Sequence, residues 1–186
     1  MHEEFTVLKH DIMFEGRVFT IERDDVRHAS GYTAVREVVR HDGGAVVVAM
    51  LPGPDVLLIR QFRYPVGEEI LELPAGKLFP GEDPLLCAKR ELREETGYSA
   101  ASIVPLLSML TSPGFCDEVL HLFLATDLVP GEQALEEGEE SITVLRVALV
   151  EALRMCVDGR IRDGKTVTGL TLAAVKLGVL SIVETK

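Results

Sequence analysis

Tryptophan is absent from the 186-residue sequence, and cysteine and long apolar runs are scarce. No apolar run is long enough to cross a bilayer, and the acidic first residues, MHEEFTVLKH, lack the apolar segment of a signal peptide. The three cysteines, Cys87, Cys116 and Cys156, are odd in number and widely spaced, which argues against a disulfide framework and a zinc site. We therefore expect a cytoplasmic protein without a membrane partner.

Positively charged residues are also few. The chain has 19 Lys and Arg residues against 30 Asp and Glu residues, for a formal net charge of -11. Such a balance argues against nucleic acid or an anionic membrane surface as a partner.

The most informative stretch runs from Gly76 to Tyr98 and reads GKLFPGEDPLLCAKRELREETGY. Asp83 can cap a helix that begins at Pro84, and Gly97 supplies a left-handed stop. A helix is therefore predicted over about 84–96. Its apolar residues at helical spacing predict that it packs against a sheet.

Three carboxylates crowd one side of this helix, because Glu91, Glu94 and Glu95 lie at i, i+3 and i+4. Arg90 is expected to pair with only one of them. The others resemble oxygen ligands for a hard divalent cation such as Mg²⁺ or Mn²⁺, and a backbone carbonyl such as that of Ala75, in the preceding ELPAGK loop, can join them. The alternative is a solvated helix face, the usual role of a charge run.

The spacing of the whole stretch is G-x5-E-x7-R-E-U-x-E-E-x-G-U, where U is a bulky apolar residue. It resembles the signature of the Nudix hydrolases, and no position departs from it. This resemblance implies an α/β/α sandwich with a mixed sheet, plus a small N-terminal antiparallel sheet. It also implies a metal site formed by the Ala75 carbonyl, Glu91 and Glu95.

Flanking segments narrow the resemblance to the ADP-ribose pyrophosphatase group. They are LIRQFRY at 58–64, TSPGFCDE at 111–118 and IRDGKT at 161–166, and Pro113 lies sixteen residues after Gly97. The implied reaction is Mg²⁺-dependent hydrolysis of ADP-ribose to AMP and ribose 5-phosphate. The alternatives are another nucleotide sugar, such as GDP-mannose, and a non-catalytic module that senses a nucleotide.

The resemblance also implies roles for residues outside the helix. Arg63 would contact the substrate phosphates and Glu72 the nucleotide portion, although an Arg at a strand end is often only a surface charge. Arg36 would reach the site of a neighbouring subunit, with Arg40 as the alternative.

The general base is expected on the acidic loop before the strand near Ile142, which could otherwise be only a solvated link. Glu140 is the first candidate, Glu139 the second, and Glu94 of the helix the fallback. Without tryptophan, an adenine platform would come from residues such as Phe14, Phe19 or Tyr32. For each of these three we favour core packing.

The N-terminal part is predicted as short strands over 5–9, 11–14 and 17–26. We expect residues 1–40 to form strands that are exchanged across a homodimer, and residues 41–186 to form the hydrolase domain. The last helix is predicted over 165–180.

Overall fold

The computed structural model describes residues 4–135 and 141–181. They form ten strands and three helices within these ranges. The elements are β1 (Phe5–Glu15), β2 (Phe19–His28), β3 (Thr33–His41), β4 (Gly44–Met50), β5 (Asp55–Arg63), β6 (Glu68–Glu72), β7 (Ala75–Lys77), α1 (Pro84–Thr96), β8 (Tyr98–Leu110), β9 (Val119–Pro130), β10 (Thr143–Ala148), α2 (Leu149–Val157) and α3 (Gly164–Lys176).

The chain divides into two compact units, and the first contains the residues up to Gly43 together with Met109–Val119. Its three-stranded antiparallel sheet has the order β1-β2-β3. The prediction of two separate strands before residue 15 was wrong. A single strand, β1, pairs along β2, and it absorbs the break in its pattern with register shifts between Val7 and Lys9 and between Ile12 and Phe14.

Apolar side chains project from both faces of β1. Five apolar residues of this strand are each more than two fifths exposed: Val7, Leu8, Ile12, Met13 and Phe14. Two faces of one strand cannot both be covered by a three-stranded sheet alone. The first unit therefore exposes more apolar surface than is usual for a sheet in contact with water.

The second unit, Gly44–Ser108 with the residues from Leu120 onward, is built on a seven-stranded sheet. Its main path is β10-β5-β4-β9-β8, with β6 beside β5 and β7 beside β4. The β4–β9 pair is parallel, and β4 is antiparallel to β5 and β7. The sheet is therefore mixed, as the resemblance implied.

Strand β4 is buried on both faces because a helix covers each one. Ala45, Val47 and Ala49 pack in one cluster with Ala88 and Leu92 of α1. On the opposite face α3 approaches so closely that a Cβ at Gly169 would lie 3.1 Å from Cγ2 of Val48. These two layers confirm the α/β/α sandwich.

The termini of the helices show which local signals were reliable. The side chain of Asp83 accepts hydrogen bonds from the N–H groups of Leu85 and Leu86, and Gly97 is left-handed with φ of 76°, which confirms α1 as predicted. Helix α3 ends at Lys176 rather than at 180, because Gly178 adopts a left-handed φ of 72°. None of the described helices combines the length and apolarity that a membrane crossing requires.

Candidate metal and diphosphate site

The first part of the site is the contact between β7 and α1. The backbone N–H of Ala75 donates to Oε2 of Glu95 at 2.8 Å. Next to it, Gly76 passes so close to the helix that an added Cβ would lie 1.7 Å from Oε1 of Glu91. Only glycine permits this approach, which brings the backbone of β7 against two of the predicted ligands.

Glu91 and Glu95 are 6% and 1% exposed, so the alternative of a solvated helix face is wrong for these two residues. Buried carboxylates require compensating positive charge or hydrogen-bond donors. Carboxylate oxygens beside a loop backbone, without sulfur or imidazole among the predicted ligands, form a donor set that fits Mg²⁺ or Mn²⁺.

Arg90 supplies compensating charge for Glu91, and the expectation that it pairs with only one of the three helix glutamates was wrong. Its Nη1 lies 2.5 Å from Oε1 of Glu91 and 3.1 Å from Oε2 of Glu94, and its Nε and Nη2 each lie 3.1 Å from Glu82. A guanidinium can do this because its five N–H donors point in different directions in one plane. Burial opposes its charge, but the contacts with Glu82 and Glu91 raise the pKa of Arg90 above its ordinary value.

Cys87 lies behind this contact and is fully buried. Burial, and after it the charge of Glu91, raise the pKa of its thiol to about 12. The neutral thiol donates weakly to the carbonyls of Gly76 and Lys77. Cys87 therefore packs the turn between β7 and α1 and has no nucleophilic role.

The second part of the site is a chain of charges on β5, β6 and α3. Arg63 approaches Oε2 of Glu72 with Nε at 2.9 Å and Nη2 at 2.6 Å. Lys165 approaches the other oxygen, Oε1, at 2.7 Å, and Oδ2 of Asp163 at 3.0 Å. Burial opposes the charge of Arg63, but Glu72 raises the pKa of its guanidinium above the ordinary value. The substrate contacts of Arg63 and Glu72 stay predictions.

Sequence reasoning missed Lys165 and Thr166, although it singled out the segment that contains them. Thr166 is fully buried, and its hydroxyl accepts from the N–H of Leu73 at 2.8 Å and donates to Asp163 at 2.6 Å. Asp163 is also the N-cap of α3. A D-x-K-T segment that begins a helix was the available signal, but nothing in the sequence says which strand it meets.

The loop that begins at Gly131 contacts the C-terminal end of α1. The side-chain amide of Gln133 donates to the carbonyl of Glu95 at 2.6 Å, and the N–H of Ala134 donates to the carbonyl of Glu94 at 3.1 Å. The loop thus starts beside the predicted metal ligands. Both first candidates for the general base, Glu139 and Glu140, lie outside the described residues.

In the first unit, Arg36 and Arg40 differ in their partners. Arg40 donates to Glu22 at 2.7 Å and to Asp117 at 3.1 Å. Arg36 instead lies over the ring of Phe5, with Cζ 5.0 Å from the ring centroid, and donates to the carbonyl of Val35. Arg40 is therefore already neutralised by carboxylates.

The expectation that Phe14, Phe19 and Tyr32 pack in a core was wrong. All three are exposed, because the three-stranded sheet contributes no second layer to cover them. Phe14 and Phe19 contact each other with ring centroids 5.8 Å apart, and Tyr32 stacks on His28 at 4.7 Å.

A cluster of His10, Glu22 and Asp24 also lies on the first sheet. Their ligand atoms are within 4.8 Å of one another. However, Nδ1 of His10 is 2.7 Å from Asp24, and Glu22 is held by Arg40. Because these contacts already balance the charges, we interpret the cluster as an ion-pair network.

Comparisons with known proteins agree with this geometry. The profile of the NUDIX domain family matches residues 40–167. A solved structure described as an ADP compounds hydrolase has the same fold, with a TM-score of 0.84, 23% identity and coverage of 95% of each chain.

Curated relatives are similar over most of their length. The chain is 43% identical to the methanol dehydrogenase activator of Bacillus methanolicus, over 90% of each chain. It is 39% identical to the ADP-ribose pyrophosphatase of Bacillus subtilis, over 88% of this chain and 89% of the relative. It is 36% identical to the GDP-mannose pyrophosphatase of Yersinia enterocolitica, over 76% and 78% respectively. With a complete signature between β7 and the end of α1, these matches show that the chain is a hydrolase of the Nudix family.

Proposed function

We propose that this protein hydrolyses the diphosphate of ADP-ribose to AMP and ribose 5-phosphate, with Mg²⁺ as the required ion. The observation that carries the proposal is the contact of buried Glu91 and Glu95 with the backbone of Ala75 and Gly76. Two buried carboxylates held against a backbone are oxygen ligands of the kind that a hard cation takes, which supports the proposal. Mn²⁺ fits the same donors and is the alternative ion.

In this proposal the Ala75 carbonyl, Glu91 and Glu95 would hold the cation. When bound, it would neutralise phosphate charge and acidify a water molecule. The oxygen of an attacking water would form a bond to one phosphorus, the P–O bond of the diphosphate bridge would break, and the leaving phosphate would depart with the bridging oxygen. Glu140, or else Glu139, takes the proton of the attacking water. Arg63 would orient the diphosphate with its planar guanidinium.

ADP-ribose is favoured over GDP-mannose by the flanking segments LIRQFRY and TSPGFCDE and by the ADP-ribose pyrophosphatase of Bacillus subtilis at 39% identity. The GDP-mannose pyrophosphatase relative at 36% identity supports the alternative substrate. Both substrates present a diphosphate to the same carboxylates, so the choice depends on the base and sugar.

We further propose a homodimer in which the first sheet packs on a second copy of the chain. The exposed apolar residues on both faces of β1 support it, since they need a partner surface. Arg36, whose guanidinium is not paired with a carboxylate among the described residues, would then reach the partner's substrate.

A substrate panel tests the proposed activity. The purified protein is incubated with Mg²⁺ and ADP-ribose, GDP-mannose, FAD, NADH or a diadenosine polyphosphate, and the products are separated by chromatography. We expect the highest kcat/KM for ADP-ribose, with AMP and ribose 5-phosphate in equal amounts. A higher kcat/KM for GDP-mannose would make GDP-mannose the assigned substrate. Tight nucleotide binding without turnover would support the non-catalytic alternative.

A further inference from the structure

We propose that Lys165 is a positioning residue, which keeps the buried carboxylate of Glu72 neutralised while Arg63 leaves it for the substrate diphosphate. This inference rests on the proposed function, because it assumes that Arg63 binds the phosphates. It assigns a role to a residue of the D-x-K-T segment that the Nudix signature does not include.

Glu72 is the centre of the arrangement, and its side chain is only 3% exposed. One carboxylate oxygen accepts from Arg63 and the other from Lys165. A buried carboxylate that loses its only cationic partner is strongly destabilised. With a second cation in place, Arg63 can depart without leaving a bare buried charge.

The exposures of the two cations show which one can move. The side chain of Arg63 is 36% exposed, whereas that of Lys165 is 12% exposed. Lys165 is also held by Asp163, whose Oδ2 lies 3.0 Å from its Nζ. Asp163 in turn caps α3. Lys165 is therefore the fixed cation and Arg63 the mobile one.

Helix α3 also holds the backbone next to Glu72. Leu73, the next residue, donates its N–H to the buried hydroxyl of Thr166. The start of α3 thus holds both the backbone and the side chain at the end of β6. The carboxylate of Glu72 therefore stays in place when Arg63 turns toward the diphosphate.

Removal of the Lys165 charge should trap Arg63 on Glu72. In Lys165→Met, Arg63 becomes the sole cationic partner of Glu72 among the contacts described, and the fraction of molecules with Arg63 available falls. If that fraction falls about tenfold, KM rises about tenfold while kcat is nearly unchanged. Lys165→Arg keeps the charge and should restore KM to near the wild-type value.

A double-mutant cycle distinguishes positioning from direct contact. We expect Arg63→Gln to raise KM, and Lys165→Met added to Arg63→Gln to raise it no further, because no Arg63 remains to be trapped. All variants of the cycle are compared in a Glu72→Gln background as well, which removes the carboxylate that the double variant would otherwise leave buried without a cation. Calorimetric titration of ADP-ribose in EDTA, where turnover is suppressed, should give Kd ratios that follow the KM ratios. The matched control is Arg162→Gln, which removes a cation of the same segment that pairs with exposed Glu68.

The two substitutions and their combination test whether Lys165 acts through Arg63. Multiplying effects of the two substitutions would show that Lys165 contacts the substrate itself and would overturn the proposal, as would a loss of kcat with unchanged KM. If Arg63→Gln leaves KM unchanged, the phosphate role of Arg63 fails and the proposal fails with it. If Lys165→Met does not fold, by circular dichroism, Lys165→Gln keeps one hydrogen-bond donor and should show the same rise in KM.

Discussion

The N–H of Ala75 donates to the carboxylate of Glu95 at 2.8 Å, across twenty positions of sequence. This bond ties the strand that precedes the Nudix helix to the last turn of that helix. Because the backbone orients one carboxylate oxygen, Glu95 is held in a fixed position, as a proposed metal ligand should be.

Glu91→Gln and Glu95→Gln should each remove activity while leaving folding intact. Each change keeps the size of the side chain. Arg90 keeps its contacts with Glu82 and Glu94 in Glu91→Gln, and the amide oxygen can still accept from Ala75 in Glu95→Gln, so the melting temperature in EDTA should change little. We expect turnover to fall by far more than tenfold, which is ~1.4 kcal/mol in barrier height. Steady-state kinetics and thermal melting measure the two effects.

The control for this pair is Glu69→Gln, which removes an exposed carboxylate from β6 and should leave kcat unchanged. Activity of Glu91→Gln or Glu95→Gln within about tenfold of wild type would reject the assignment of that residue as a ligand.

Gly76→Ala should disable the site by sterics alone. The new Cβ would overlap the carboxylate of Glu91, which lies at the end of a flexible side chain and can swing away. We therefore expect a small loss of stability, weaker binding of Mg²⁺ and a large loss of kcat. The matched control is Gly164→Ala, where the added methyl group meets nothing within 4 Å.

Titration of activity with Mg²⁺ and thermal melting are the measurements for Gly76→Ala. Wild-type kinetics in this variant would mean that the close approach of Gly76 and Glu91 has no part in metal binding.

The sequence predicted α1 from Pro84 to Thr96 and both of its caps, because capping depends on residues that are adjacent in the chain. It did not predict that Arg90 contacts three glutamates, since the contacts of a guanidinium depend on the rotamers of Arg90 and of each glutamate. Nor did it predict that Lys165 meets Glu72. These residues are 93 positions apart, and only the packing of α3 against the sheet brings them together.

Glu140→Gln should lower kcat with little change in KM, because it removes the proposed general base. Such removal typically lowers the rate by roughly 10² to 10⁴. Glu140 is closer in sequence to Thr143, where β10 begins, than Glu137 is, which makes it the first candidate. Glu137→Gln is the control and should be nearly silent.

Steady-state kinetics of Glu140→Gln, Glu139→Gln and Glu137→Gln decide this assignment. Small effects at both Glu140 and Glu139 would move the base to the helix, with Glu94 the first residue to test.

Static light scattering at micromolar concentration should report a homodimer, and Ile12→Glu should shift it toward monomer. A charge on exposed β1 opposes burial of that strand against a second copy. Val157→Glu is the control, because Val157 is exposed on α2 of the other unit. A wild-type monomer with full activity would contradict the proposed dimer.

The most direct test of the proposed metal-dependent hydrolysis is metal removal and restoration. The protein is dialysed against EDTA, then assayed with ADP-ribose before and after Mg²⁺ is added, with AMP and ribose 5-phosphate quantified by chromatography. We predict negligible turnover in EDTA and full recovery with Mg²⁺, but no recovery for Glu95→Gln at the same concentration. Undiminished hydrolysis in EDTA, or no hydrolysis of ADP-ribose at any Mg²⁺ concentration, would contradict the proposal.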